Sequence, residues 1–142
     1  MSSLRGFKEV YHPYSLSDEE RSMPSYGGYE PEPLFDGSPI YSFYAQADFT
    51  LPAKSVVSVP LGYSVYMLED EVFQIVSCVS APLFEGVRVL SVGDTYSSVY
   101  EEHSTELGML YVKLENTSDS DIDIFRGKVL VGGIFLKCLK ED

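Results

Sequence analysis

The chain has 142 residues, 44% of them hydrophobic, which is enough for one domain whose core needs no covalent staples. Twenty-two acidic against ten basic residues give a net charge of −12, which repels phosphate backbones and anionic bilayers and so argues against nucleic-acid and membrane partners. The acidity is spread, with three basic against seven acidic residues up to position 38 and seven against fifteen beyond it, so no acidic tail accounts for it.

The cysteines Cys78 and Cys138 lie in apolar stretches, distant in sequence from each other and from His12 and His103. They read as buried free thiols of a reducing compartment, not as a disulfide or a metal set. The opening Met1-Ser2-Ser3-Leu4-Arg5 carries no apolar signal region, and no stretch approaches the roughly 20 apolar residues that cross a bilayer. An intracellular location, cytoplasm or nucleus, is expected, with the sequon at Asn116-Thr117-Ser118 unused.

Residues 1–38 set Tyr11, Tyr14, Tyr26 and Tyr29 among prolines, serines and the pair Gly27-Gly28, a composition that disfavours both helix and central strand. They are expected to form an irregular arm, with a capping-box look at Ser17 to Glu20 but no apolar face behind it. Such a segment either lies along a partner or a neighbouring subunit, or is merely a tail.

From residue 39 to 142 the pattern changes to short β-branched and aromatic runs separated by turn chemistry, the mark of an all-β sandwich or barrel. The predicted strands are 40–45, 55–60, 64–68, 73–79, 86–92, 108–115, 121–125 and 128–139. Pro52-Ala53-Lys54, Pro60-Leu61-Gly62 and Arg126-Gly127-Lys128 read as turns. Asp121-Ile122-Asp123-Ile124 alternates as a half-buried strand does, and Ile124 and Leu130 stand where a calcium loop needs glycine and glutamate. No metal and no cofactor is expected.

The ordered series Asp48-Phe49-Thr50-Leu51-Pro52, Val59-Pro60-Leu61-Gly62, Asn116 and Arg126-Gly127-Lys128 resembles the trimeric dUTPase family, which shows D-F-x-L-P-P, V-P-T-G, an Asn-containing turn and R-G-D-R-I-A-Q in this order. The ten residues from Asn116 to Arg126 match the family's spacing. The resemblance covers about residues 39–139 and implies a dUTPase-like β-barrel or jelly-roll-type sandwich that assembles as a homotrimer. The apolar run 129–139 would otherwise be an exposed edge.

The same comparison implies that catalysis is lost. Counting back from Leu51-Pro52 puts Ser42 where the family has a magnesium-supporting Asp. Val79 falls where the family has a phosphate-gripping Arg, with Ser80 kept beside it. Gly86 and Tyr100 keep the family's 14-residue gap, which places Ser97 where a water-activating Asp belongs. Hydroxyls and an aliphatic group neither hold a hydrated dication nor act as a general base near neutral pH. The chain is also expected to lack the family's glycine-rich, phosphate-covering tail. A polyphosphate would meet a −12 chain with neither Arg clamp nor metal ligands.

Between Tyr100 and Asn116 lies a 16-residue gap, longer than the family's usual stretch, holding Glu101, Glu102, His103 and Glu106. Its reading as a solvated loop stands beside that of a partner-binding hairpin tip, and His103 beside acids is a pH-sensitive pair only in the second. Tyr96 and Tyr100 fall in the region that resembles the uracil-facing hairpin, where aromatic packing is the simpler role. Tyr26, Tyr29, Glu101, Glu102, His103 and Glu106 are therefore the candidate partner-binding residues.

The run 107–139 looks like an adenovirus early-region protein derived from dUTPase, although the charged ending Glu141-Asp142 departs from that relative's PDZ ligand. The resemblance thus implies a non-catalytic viral protein of the infected cell that binds an unidentified protein partner. A divergent dUTP nucleotidohydrolase and a structural or assembly trimer of a virus particle are the alternatives.

Overall fold

In Glu71–Val76 every second side chain is buried, so this short strand already shows an inward face made by Phe73 and Ile75. Alternation recurs at the start of the strand Ser55–Tyr66, whereas its second half and the strand Val129–Lys137 carry unbroken buried runs. The computed structural model describes residues 4–9, 29–77, 85–97 and 109–139, and every element among them is a β-strand. No helix among them is long and apolar enough to cross a membrane.

The strands are β1 (Gly6–Glu9), β2 (Glu32–Pro33), β3 (Ile40–Tyr44), β4 (Phe49–Leu51), β5 (Ser55–Tyr66), β6 (Glu71–Val76), β7 (Val87–Val89), β8 (Thr95–Ser97), β9 (Met109–Asn116), β10 (Ile122–Ile124) and β11 (Val129–Lys137). They form a four-stranded sheet in the order β1-β5-β9-β7 and a five-stranded sheet in the order β2-β3-β11-β6-β8. A small ribbon pairs β10 with β4. All pairings are antiparallel. The architecture is the expected all-β sandwich.

Its core is one cluster that includes Phe43, Leu51, Leu61, Val65, Phe73, Ile75, Leu110, Val112, Leu114 and Val131. Phe7 of β1 ties the two sheets together. Its ring lies 5.0 to 5.5 Å from those of Tyr41, Phe43, Phe73 and Phe135 across the sandwich. Arg5 Nε donates to the buried Glu71 carboxylate at 2.6 Å, which fastens the same segment to the start of β6.

Three expectations are corrected in detail. The predicted strands 55–60 and 64–68 are one strand, β5, because Pro60-Leu61-Gly62 makes a register shift against β9 instead of a turn. Gly62 sits at φ +82°, the backbone that such an irregularity needs. In the predicted strand 86–92 only Val87–Val89 is extended, and residues 90–93 turn. Cys138 follows β11 and is half-buried, not buried. Four short strands were not foreseen, β1 and β2 within residues 1–38, and β4 and β8. Positions 10–28, 78–84, 98–108 and 140–142 lie outside the described residues.

Candidate functional site

Three of the segments that carry the family resemblance, around Asp48, Gly62 and Arg126, adjoin the turn at residues 45–48, while Asn116 lies apart, opposite Ser55. The Asp48 carboxylate accepts a hydrogen bond from the Arg126 backbone N–H at 2.7 Å. Ala45 N–H donates to the Lys128 carbonyl and Gly127 N–H to the Ala45 carbonyl, both at 2.8 Å. Gly127 has φ +92°, which only glycine adopts readily, so the Arg126-Gly127-Lys128 turn is specified by its own residue and by Asp48.

Gln46 and Tyr29 complete this region. Buried Gln46 donates through Nε2 to the carbonyls of Tyr29 (2.8 Å) and Tyr44 (3.2 Å). A Cβ at Gly62 would stand 3.0 Å from Gln46 Cγ, so the P-L-G segment is shaped around this side chain. The Tyr29 ring lies under the Arg126 guanidinium, 4.5 Å from its centroid, and against Gly127, where a Cβ would come within 3.0 Å of the ring. Tyr29, a candidate partner-binding residue, is thus docked on its own chain while remaining 37% exposed. Tyr63, next to Gly62 and opposite Glu9, is buried, and among the described residues its hydroxyl meets no hydrogen-bond partner. Burial, and then the charges of Glu9 and Glu30, push its pKa up to about 12.

A second turn is built on Asn116, which is fully buried. Its Nδ2 donates to the carbonyls of Leu51 (3.0 Å) and Ser120 (2.8 Å), and its Oδ1 accepts from Ser118 N–H and Oγ. The sequon therefore offers no accessible amide. Asp121 accepts from Ala53 N–H and Asp123 from Thr50 Oγ1, while Lys54 stands 3.5 Å from Asp119. The three carboxylates thus serve three separate contacts.

The two described positions among those that the resemblance marks as catalytic, Ser42 and Ser97, do not come together within this chain. Ser42 lies on β3 and Ser97 on β8, with β11 and β6 between them and a four-residue offset in register. At ~4.8 Å per strand and ~3.4 Å per residue they stand on the order of 20 Å apart. Val79 and Ser80 lie outside the described residues, as do Tyr26, Tyr100, Glu101, Glu102, His103 and Glu106. Tyr96 pairs with Phe73 and packs against the core.

Ser42 is 3% exposed, and its register neighbours are Glu32 on β2 and Gly132 on β11. Ile40 and Val76 methyls stand 3.1 and 3.3 Å from the Cβ position of Gly132. One hydroxyl, one carboxylate and methyl groups do not fit a hydrated divalent cation, which asks for several oxygen ligands. Among the described residues no three His, Cys, Asp or Glu side chains gather elsewhere.

No protein-family model matches the chain, and no curated protein does. Solved structures do match. The dUTPase of Streptococcus mutans is similar with a TM-score of 0.75, over 96% of this chain and 98% of its own, at 20% identity. The EIAV dUTPase is similar with a TM-score of 0.61, over 83% and 91%, at 14% identity. The dUTPase of Staphylococcus bacteriophage 80alpha follows with a TM-score of 0.65, over 97% and 92%, at 11% identity. At such identities the likeness establishes the fold, and the chain has the all-β fold of dUTPases.

Proposed function

We propose that this chain is a non-catalytic protein on the dUTPase fold, a self-associating interaction module of viral origin that binds host or viral proteins. The observation that carries this reading is Ser42. Where the family resemblance calls for a magnesium-supporting carboxylate, there is a hydroxyl on a sheet face lined by Ile40 and Val76 methyls. The net charge of −12 disfavours a polyphosphate at any site that lacks a cation or an arginine clamp. Phage dUTPases such as that of 80alpha control transfer of virulence genes by a proto-oncogenic G protein-like mechanism, a precedent for regulation on this fold.

The test is pyrophosphate release from dUTP with magnesium, measured beside an active dUTPase. Turnover at background is expected, both for the chain and for the double variant Ser42→Asp/Ser97→Asp. Hydrolysis at rates near those of the active enzyme would overturn the reading. It would favour a divergent dUTP nucleotidohydrolase, which the nearly end-to-end likeness to the Streptococcus mutans dUTPase supports. Titration calorimetry with a non-hydrolysable dUTP analogue separates binding without turnover from no binding.

A further inference from the structure

Register gives the four-stranded sheet two faces. Phe7, Val87, Val89, Val112 and Leu114 pack on the core, so the residues between and beside them, Lys8, Arg88, Lys113 and Glu115, point outward. Val56 and Ser58 of β5 stand opposite Glu115 and Lys113 on the same outer face. Arg88 Nε donates to Glu115 Oε1 at 3.0 Å. Val56 is 52% exposed, and Leu90, whose N–H donates to the Lys113 carbonyl, is 43% exposed. Among the described residues, the strands of this face carry Lys8, Arg88 and Lys113 against Glu115 alone, three positive charges against one, on a chain whose net charge is −12. Cations elsewhere are already engaged. Arg5, Lys54 and Lys137 each stand against a carboxylate, Arg126 lies over Tyr29, and Lys128 has a partner as well. Among the described residues, the ammonium groups of Lys8 and Lys113 are the ones that no acid or carbonyl holds, in a chain with acids to spare.

We infer that the outer face of the four-stranded sheet is a docking surface for a short acidic segment of a protein partner, one in which carboxylates are interspersed with aliphatic side chains. Lys8 and Lys113 lie two strands and four residues apart, on the order of 16 Å at ~4.8 Å per strand and ~3.4 Å per residue, and Lys113 and Arg88 lie about half that apart. An extended segment of about five residues spans the longer distance. Its carboxylates reach both ammonium groups while its aliphatic side chains rest on Val56 and Leu90. At physiological ionic strength the Debye length is about 8 Å, so such a segment feels these cations and not the distant acids that set the net charge. A nucleic acid fits less well, because a duplex carries a charge on about every 1.7 Å of its axis, which three cations beside Glu115 do not neutralise. The inference rests on the interaction role proposed above.

The test is fluorescence anisotropy of the full chain with a fluorescein-labelled peptide of repeated Glu-Val-Glu units. The same peptide with glutamine for glutamate, and a single-stranded oligodeoxynucleotide of equal charge, are measured beside it. Saturable binding of the glutamate peptide alone is expected. Lys8→Glu and Lys113→Glu should each weaken it about fivefold, the size of one exposed ion pair, and added salt should weaken it too. Lys137→Glu makes the same change of net charge on the other sheet and should leave binding intact. If a charge reversal unfolds the chain, as read by circular dichroism, Lys8→Gln and Lys113→Gln take its place. Acetylation of the two lysines, located by mass spectrometry, should then also slow when the glutamate peptide is present. No binding of the glutamate peptide, binding that survives both lysine variants, or equally tight binding of the glutamine peptide or the oligonucleotide overturns the assignment alone. Pyrophosphate release from dUTP near the rate of an active enzyme overturns the non-catalytic reading, whatever the titration shows.

Discussion

Gly132 and Gly133 are neighbours in β11 with opposite surroundings. A Cβ on Gly133 would overlap Phe73 Cζ, lie 2.7 Å from Phe73 Cε2 and stand 3.1 Å from Phe43 Cε2, all rings of the core. The atoms nearest to a Cβ on Gly132 would be methyls of Ile40 and Val76 and the Val76 carbonyl, at 3.1 to 3.4 Å. The inner face is thus packed ring against ring, with no room for one more carbon, while at Gly132 the outer face is tight by only a few tenths of an ångström and its nearest side-chain atoms are methyls. That difference shows where this fold tolerates change. Ser42 and Ser97, the described positions that the sequence resemblance singled out, sit on the outer face, and the framework residues that keep the sandwich closed sit inside.

The sharpest way to break this comparison is to empty the inner face. Phe7→Ala removes the ring that contacts four others across the sandwich, and a loss of about 3 to 4 kcal/mol is expected in urea denaturation. A loss under about 1 kcal/mol would mean that β1 is not part of the cooperative unit. Next in size is Gly133→Ala, which overpacks the same rings and should cost about 2 to 3 kcal/mol. Its partner experiment, Gly132→Ala, should change stability by less than about 1 kcal/mol, because Ile40 and Val76 can give by a few tenths of an ångström. Equal losses at the two glycines would erase the distinction between the faces.

The inner face was legible in sequence because alternation is local. The runs around Phe43, Phe73, Leu110 and Ile122 mark strands by themselves. Pro60-Leu61-Gly62 misled because a bulge and a turn use the same residues, proline without a donor and glycine at positive φ, and only the partner strand β9 tells them apart. Strands of two to four residues such as β1, β2 and β8 hold too few side chains to show a period. At the candidate site, Asp48 and Arg126 stood out as motif residues, but their mutual hydrogen bond spans 78 positions, and nothing local announces it. Gln46 was missed outright. Its signal was a lone amide between the apolar run 40–45 and the turn at Asp48, which reads equally well as surface.

The smallest effect at neutral pH concerns a polar group that points inward. Asn116 is buried with its amide engaged on both sides, whereas the Tyr63 hydroxyl, among the described residues, has no such partner. Tyr63→Phe should therefore shift stability at pH 7 by no more than about 1 kcal/mol, in either direction. The difference emerges in alkali. The folded chain holds the Tyr63 proton until about pH 12, while the unfolded chain releases it near the ordinary tyrosine value of 10.0. In that window the unfolded state binds fewer protons, so rising pH favours unfolding, by about 1.4 kcal/mol per pH unit at most. Below the window this contribution is constant. Urea melts of the wild type and of Tyr63→Phe across pH 9 to 12, a span set by those two values, should run parallel at first. They should then diverge, with the wild type losing stability faster. Curves that stay parallel throughout would place the hydroxyl in contact with water or with a partner, and the inner face would then be less dry at this end than its aromatic middle.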